Sequence, residues 1–277
     1  MVYTFRENRA GGHPRTREGT ALAARRSKRG RRRNRGRFGF LYKLLSFVLI
    51  LAAILVGCAV FFRVDRIEVS GNARYTQEEI IQATGVELRD NLFLLNKFQI
   101  VPRLLSRLPY IDEVVIYRNW PDTLVIEVTE CQPVAAIQSG GAWWILDAKG
   151  KLLERTDASG AATYPEVTGL TPVTPVVGSL LEVAEEESLK LQSLKSLLGE
   201  LEQRGMMGDV GYLDLTAVNE ISMGYLDRFE VRLPMSGSDF GRLLRTVELA
   251  IEQGLSDTDT GILDLTLEDA HFIPYSS

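Results

Sequence analysis

The sequence predicts an α+β protein carried behind one transmembrane helix: a small β-α-α-β-β unit comes first, then a second, β-rich α+β unit. Three observations carry this. An unbroken apolar run, Leu44 to Phe62, follows a strongly basic stretch. Beyond Arg63, short segments alternate polar and apolar residues with the two-residue period of a strand. Two later stretches repeat apolar residues at helical spacing. The expected divisions are a basic tail over residues 1–37, the span over 38–62, the two folded units over 63–131 and 132–270, and a tail over 271–277.

The 19 residues from Leu44 to Phe62 cover about 28 Å at helical rise, close to the roughly 30 Å of a bilayer's hydrocarbon core. Residues 1–37 hold twelve Arg and Lys28 against Glu7 and Glu18, a net charge of +11, whereas residues 63–277 carry −16. The positive-inside rule then keeps the N-terminus cytoplasmic and exports the acidic part, a cell-membrane, single-pass topology. A buried core helix is a poor rival, because such helices are shorter and amphipathic. A cleaved signal peptide meets a 43-residue basic lead and no small-x-small site after the run. Leu55-Val56-Gly57-Cys58 resembles a lipoprotein box, but Ala59 to Phe62 continue the apolar run instead of entering a polar tether.

The segment Arg25 to Arg37 has too few apolar residues to fold alone and is expected to be disordered and drawn to anionic membrane lipids. No interleaved aromatics support nucleic-acid binding. Cys131 is the one cysteine beyond the span, so no disulfide joins exported residues and packing must supply the folding energy.

Arg66 to Ser70 alternates as a half-buried strand does, and Gly71-Asn72 turns the chain. Thr76 with Glu79 forms a capping box for a helix that stops at Gly85. A second helix fits between about Asn96 and Leu108, burying Phe98, Leu104, Leu105 and Leu108, or it starts at Pro102, where a missing N–H costs little. Strands at Ile111 to Arg118 and Thr123 to Thr129 flank Asn119-Trp120-Pro121-Asp122, with Trp120 expected to staple that turn.

The order β-α-α-β-β, Ser70-Gly71-Asn72, Leu108-Pro109-Tyr110-Ile111, the Arg118 to Leu124 hairpin and the closing Val128 to Ala135 together resemble a POTRA domain of the FtsQ/DivIB type. Trp144-Ile145-Leu146-Asp147-Ala148-Lys149-Gly150 and Tyr164-Pro165-Glu166-Val167-Thr168-Gly169 are similar to later segments of the same family. Cys131 and Gln132 depart from it, because the family commonly has a basic residue before this Pro.

In the second unit, strands at Ala135 to Ile137 and Trp143 to Leu146 flank Ser139-Gly140-Gly141, and Asp147 to Gly150 turns into Lys151-Leu152-Leu153. The rings of Trp143 and Trp144 point to opposite faces, one into the core and one onto a second surface. From Glu185 to Arg204, Leu191, Leu194, Leu198 and Leu201 share a helical face, and Glu185 to Glu187 lie at the positive end of the dipole. Strands follow at Val210 to Leu215, Glu220 to Met223 and Phe229 to Leu233. A helix from near Ser238 carries Phe240, Leu243, Leu244, Val247, Ala250 and Ile251 on one side and ends at Gly254. Gly261 to Thr266 is the last expected strand.

Chemistry is harder to find. His13 and His271 are the only histidines, and no nucleophile turn precedes His271, so acyl-transfer triads and zinc sites lack their parts and neither a metal nor a cofactor is expected. A membrane-anchored cell-wall hydrolase would need only two carboxylates, but among 34 acidic residues beyond the span a pair is uninformative. The clusters Glu182 with Glu185 to Glu187, and Asp257 with Asp259, read as solvated charge.

What remains is binding through strand edges, whose unpaired N–H and C=O groups accept a partner strand. The resemblance implies an edge role for Val114, Val115, Ile116, Tyr117 and Arg118. It also implies that the last strand, Ile262, Leu263, Asp264, Leu265 and Thr266, with Phe272 just beyond, pairs with a division protein of the FtsB/DivIC type. The family further implies a non-enzymatic scaffold at the division septum, with FtsL-type and septal peptidoglycan synthesis proteins as partners.

Overall fold

The structure, a computed structural model, describes residues 36–235, 239–267 and 270–275. His13, Arg25 to Arg35 of the segment expected to be disordered and drawn to lipids, and the expected helix start at Ser238 lie outside the described residues, whereas Gly36 and Arg37, expected in the disordered tail, are already helical. Helix α1 (Gly36–Phe61) begins ahead of the apolar run, and its 23-residue apolar stretch, Gly39–Phe61, is long enough to cross a membrane, with no residue of its most apolar window buried. The chain falls into two units, residues 1–53 and 54–277, so the last turns of α1 belong with the folded part.

The first module comprises β1 (Arg66–Ser70), α2 (Gln77–Thr84), α3 (Lys97–Arg107), β2 (Ile111–Asn119) and β3 (Thr123–Glu130), in the expected β-α-α-β-β order. β3 is central in a three-stranded sheet, parallel to β1 and antiparallel to β2. Thr76 and Glu79 form the reciprocal capping box, and Gly85 ends α2 in the left-handed region at φ 68°. Helix α3 starts at Asn96, whose side chain accepts the Phe98 N–H at 3.0 Å, so the cap rather than the proline fixes its beginning and Pro102 lies inside. Of the expected inward residues, Leu104 is buried beside Ile100 against Ile80, Leu124 and Ile126, and Leu105 and Leu108 pack on the same core; Phe98 alone departs, at 79% exposed.

The second module carries a nine-stranded mixed sheet. Its elements are β4 (Ala135–Ser139), β5 (Ala142–Leu146), β6 (Leu152–Thr156), α4 (Ala158–Ala161), β7 (Glu166–Thr168), α5 (Ser188–Arg204), β8 (Val210–Asp214), β9 (Glu220–Tyr225), β10 (Phe229–Pro234), α6 (Phe240–Gly254), β11 (Gly261–Asp264) and β12 (His271–Pro274). The strand order is β12-β11-β10-β9-β8-β7-β4-β5-β6. Leu194, Leu197, Leu198 and Leu201 of α5 and Leu244 and Val247 of α6 share one core with inward residues of the sheet such as Met223, Val231 and Leu263. Arg204 ties the helices together, donating to Glu248 at 3.2 Å and to the Gly241 carbonyl at 2.6 Å. Trp144 joins this core while Trp143 packs beside Ala161 on the opposite face, as alternation requires.

The modules are fastened to each other. Tyr110, Cys131 and Leu153 are buried together, Arg74 stacks 3.7 Å above the Tyr110 ring, and Lys149 and Lys151 each reach 2.6 Å to Asp112 and to the Ile111 carbonyl respectively. Burial pushes the Cys131 thiol up to about 12, which leaves it protonated and inert at neutral pH.

Two expectations change at the C-terminus. Thr266 is not in the strand, because Asp264 Oδ1 accepts both its N–H (2.9 Å) and its hydroxyl (2.6 Å) and turns the chain out of β11. The expected tail 271–277 contains β12, which pairs antiparallel with β11 through Asp264↔His271, Leu263↔Phe272, Ile262↔Ile273 and Gly261↔Pro274. The strand through Ile262 is therefore interior, not last.

Candidate partner-binding edges

In the parallel β10–β11 pair, the Leu265 N–H donates to the Arg232 carbonyl at 2.9 Å and the Gly261 N–H to that of Arg228 at 3.3 Å. Alternation turns the pairing groups of Gly261, Leu263 and Leu265 toward β10 and those of Ile262 and Asp264 toward β12. Both edges of β11 are thus occupied. Leu263 (2% exposed) and Leu265 (4%) point into the core. Sequence reasoning placed Ile262, Leu263, Asp264, Leu265 and Thr266 at the partner surface, but the structure makes these residues a support for the true edge.

That edge is β12. The Tyr275 N–H donates to the Thr260 carbonyl at 3.1 Å, which continues the β12 register and makes His271, Ile273 and Tyr275 the inward-bonding residues. By the same alternation the N–H and C=O of Phe272 face outward, next to Pro274, which has no N–H to offer. The Phe272 ring turns into the core, 6.3 Å from Phe229, while Ile273 is 49% exposed on the opposite face above Ile262. Beside it, a shallow depression of about 280 Å³ is lined by Tyr212, Gly224, Glu230 and Tyr275. Partial burial pushes Asp264 the other way, yet the Thr266 hydroxyl and N–H hold its carboxyl below the usual range, so it keeps its charge beside exposed His271.

In the first module, β2 is an edge of its sheet, as the sequence led us to expect. Val114 and Ile116 pack on that module's core while Val115 and Tyr117 are exposed on the other face. Arg118 donates to the Leu95 carbonyl at 2.6 Å, and Lys151 and Lys149 hold the other end of the strand at Ile111 and Asp112. The unclaimed stretch between these anchors is Val114 to Tyr117.

Glu185 to Glu187 form a one-turn 3₁₀ segment ahead of α5. The Glu187 carboxylate accepts the Thr171 N–H at 2.7 Å, tying that segment to a distant loop, whereas Asp259 accepts the Ser256 N–H at 2.8 Å and shapes a local turn. Among the described residues, no group of three metal-ligating side chains converges.

Comparison with known proteins agrees with this architecture. Residues 62–130 match the family model described as POTRA domain, FtsQ-type. A cell division protein FtsQ from Geobacter sp. (strain M21) is 31% identical over 173 residues, 62% of this chain and 58% of that protein. The chain is thus similar to cell division proteins of the FtsQ/DivIB type, most specifically in its FtsQ-type POTRA module. An FtsQ from Streptomyces bingchenggensis is 32% identical over 116 residues, covering 42% of this chain and 41% of its own, and a DivIB from Clostridium tetani is 25% identical over 65% of this chain and 68% of its own. The chain therefore spans between about two fifths and two thirds of these relatives. The extracytoplasmic domain of DivIB from Geobacillus stearothermophilus overlaps 46% of this chain and 99% of its own at 12% identity, with a TM-score of 0.29. The residues sequence reasoning missed, His271 and Ile273 to Tyr275, carried one weak signal, the alternation His271-Phe272-Ile273. Pro274 masked it, because a proline in a short run argues against a strand unless that strand is an edge.

Proposed function

We propose that the protein is a bitopic, non-enzymatic scaffold of the bacterial division machinery whose C-terminal strand edge receives a strand from an FtsB/DivIC-type partner, with FtsL-type proteins in the same assembly. It helps to recruit or regulate septal peptidoglycan synthesis, with the N-terminus cytoplasmic and the folded modules outside. The FtsQ-type POTRA match and the similarity to FtsQ and DivIB proteins support the process, and the charge reversal across α1 supports the orientation. The observation that carries the binding mode is the position of β12 at the open end of the nine-stranded sheet, with the pairing groups of Phe272 turned outward. Backbone pairing there supplies affinity, and Ile273 and the Tyr212–Tyr275 depression supply side-chain selectivity. The POTRA edge at Val114 to Tyr117 is a second docking strand.

Two variants of the full chain separate backbone from side chain. Phe272→Ala removes the ring and keeps the N–H; Phe272→Pro removes both. Co-purification of the FtsB/DivIC-type partner from membranes should fall far more for the proline variant than for the alanine variant. Equal capture by the two would refute strand pairing at β12.

A further inference from the structure

The C-terminal end of α1 is built into the first module rather than merely tethered to it. The last four carbonyls of a helix lack intrahelical partners. Here the carbonyl of Ala59 accepts from the Asn91 side chain at 3.2 Å and from Arg63 Nε at 3.4 Å, and the Phe62 carbonyl accepts the Leu92 N–H at 3.0 Å. Val64 is fixed from both sides, donating to Asp90 and accepting from Arg89 at 2.8 Å each. The loop at residues 89–95 therefore lies level with the helix's final turn.

Around this join sits an aromatic cluster. The Phe62 ring meets Phe93 at 5.0 Å and Trp120 at 5.2 Å, and Phe93 and Trp120 are 4.7 Å apart. Trp120 thus packs against Phe62 and Phe93 just beyond the helix end, yet it remains 47% exposed. Trp120 and Phe98 line one open groove between α3 and the β2–β3 hairpin, which extends the cluster outward. Leu94 is 82% exposed and Phe98 79%, very high values for large apolar side chains on a folded domain. Lys97 and Arg118, both exposed, stand among them.

We propose that this face is a membrane seat: Phe93, Leu94, Phe98 and Trp120 insert into the interfacial layer of the leaflet where α1 ends, and Lys97 and Arg118 contact the lipid phosphates. The inference rests on α1 crossing a bilayer and does not depend on which partner binds β12. Continuity with the helix names the occupant. The 23 residues of Gly39–Phe61 span roughly 35 Å, slightly more than the hydrocarbon core, so Phe61 emerges in the headgroup region. Anything bonded to Ala59 is held at that depth. Aromatic rings with flanking cations are the side chains that settle there.

The test uses the full chain carrying Cys58→Ser in phospholipid vesicles, with buried Cys131 left unlabelled. An environment-sensitive fluorophore is placed at Leu94→Cys, at Phe98→Cys and, as a control, at exposed Leu249→Cys on α6. The expected result is severalfold stronger quenching by lipids labelled near the glycerol level at 94 and 98 than at 249, with matching protection from aqueous iodide. Iodide quenching at 94 and 98 equal to that at 249 would overturn the proposal. Protection from both quenchers would also overturn it, because the face would then be covered by protein. Since both side chains are exposed, Leu94→Glu with Phe98→Glu leaves the fold intact and should reduce lipid quenching of Trp120.

Discussion

The three-stranded sheet ends in β2, nine residues long, whereas the nine-stranded sheet ends in β12, four residues long and closed by Pro274. The longer edge is pinned at both ends by Lys151 and Arg118, and between them it exposes Val115 and Tyr117. Among the described residues β12 shows no lysine or arginine anchor of that kind, and its proline limits how far pairing can run. An open edge is an aggregation risk that proteins limit by shortening it or adding proline. At β12 that restriction leaves one outward N–H, on Phe272, so a partner must dock in one register and take the rest of its affinity from side chains.

The largest effect is expected at β11, the strand that supports β12. Leu263→Ala removes a fully packed side chain and should cost about 2–5 kcal/mol in denaturant unfolding, with β12 lost alongside it. Leu265→Pro would act on the same core, since its N–H is spent on Arg232 and not on a partner. A matching perturbation of the POTRA module is Gly71→Ala. Gly71 sits at φ 82° against the Val128 carbonyl, so a Cβ there should destabilise that module by about 1–3 kcal/mol while partner capture through β12 persists.

Smaller effects sharpen the picture. The carboxyls of Asp264 and Asp214 both titrate below their usual range. Asp264 is held there by Thr266 against the opposing effect of burial, and Asp214 chiefly by the Thr216 hydroxyl. A depressed carboxyl stabilises the fold above its unfolded-state pKa and loses that contribution as pH falls through the folded value. Acid unfolding of Asp264→Asn should therefore show a shallower pH dependence below the ordinary aspartate range than the parent. Least of all, Val115→Glu and Tyr117→Glu should change stability by no more than about 0.5 kcal/mol, since both side chains are exposed. Any loss of a partner in those variants would then report on the POTRA edge itself.

Much of this was legible in the sequence because local chemistry and burial agree. The Thr76–Glu79 box, the leucines of α5 and the strict alternation of β9 and β10 each specify an element without help from distant residues. The errors arose where tertiary pairing decided the outcome. Nothing local shows that Asp264 will recruit Thr266 and end β11, or that His271 to Pro274 will return beside it. Phe98 departs for a related reason, since its apolar side chain suits the buried face of α3 by spacing yet is 79% exposed, and Trp120, expected at its own turn, meets Phe62 and Phe93 from elsewhere in the chain.

Amide exchange at Phe272, with and without a soluble FtsB/DivIC-type partner, tests the central claim most directly. This outward N–H should exchange freely in the unbound protein and become protected on binding, while that of Leu265 is protected in both states. Partner binding that leaves the Phe272 amide unprotected would contradict that claim.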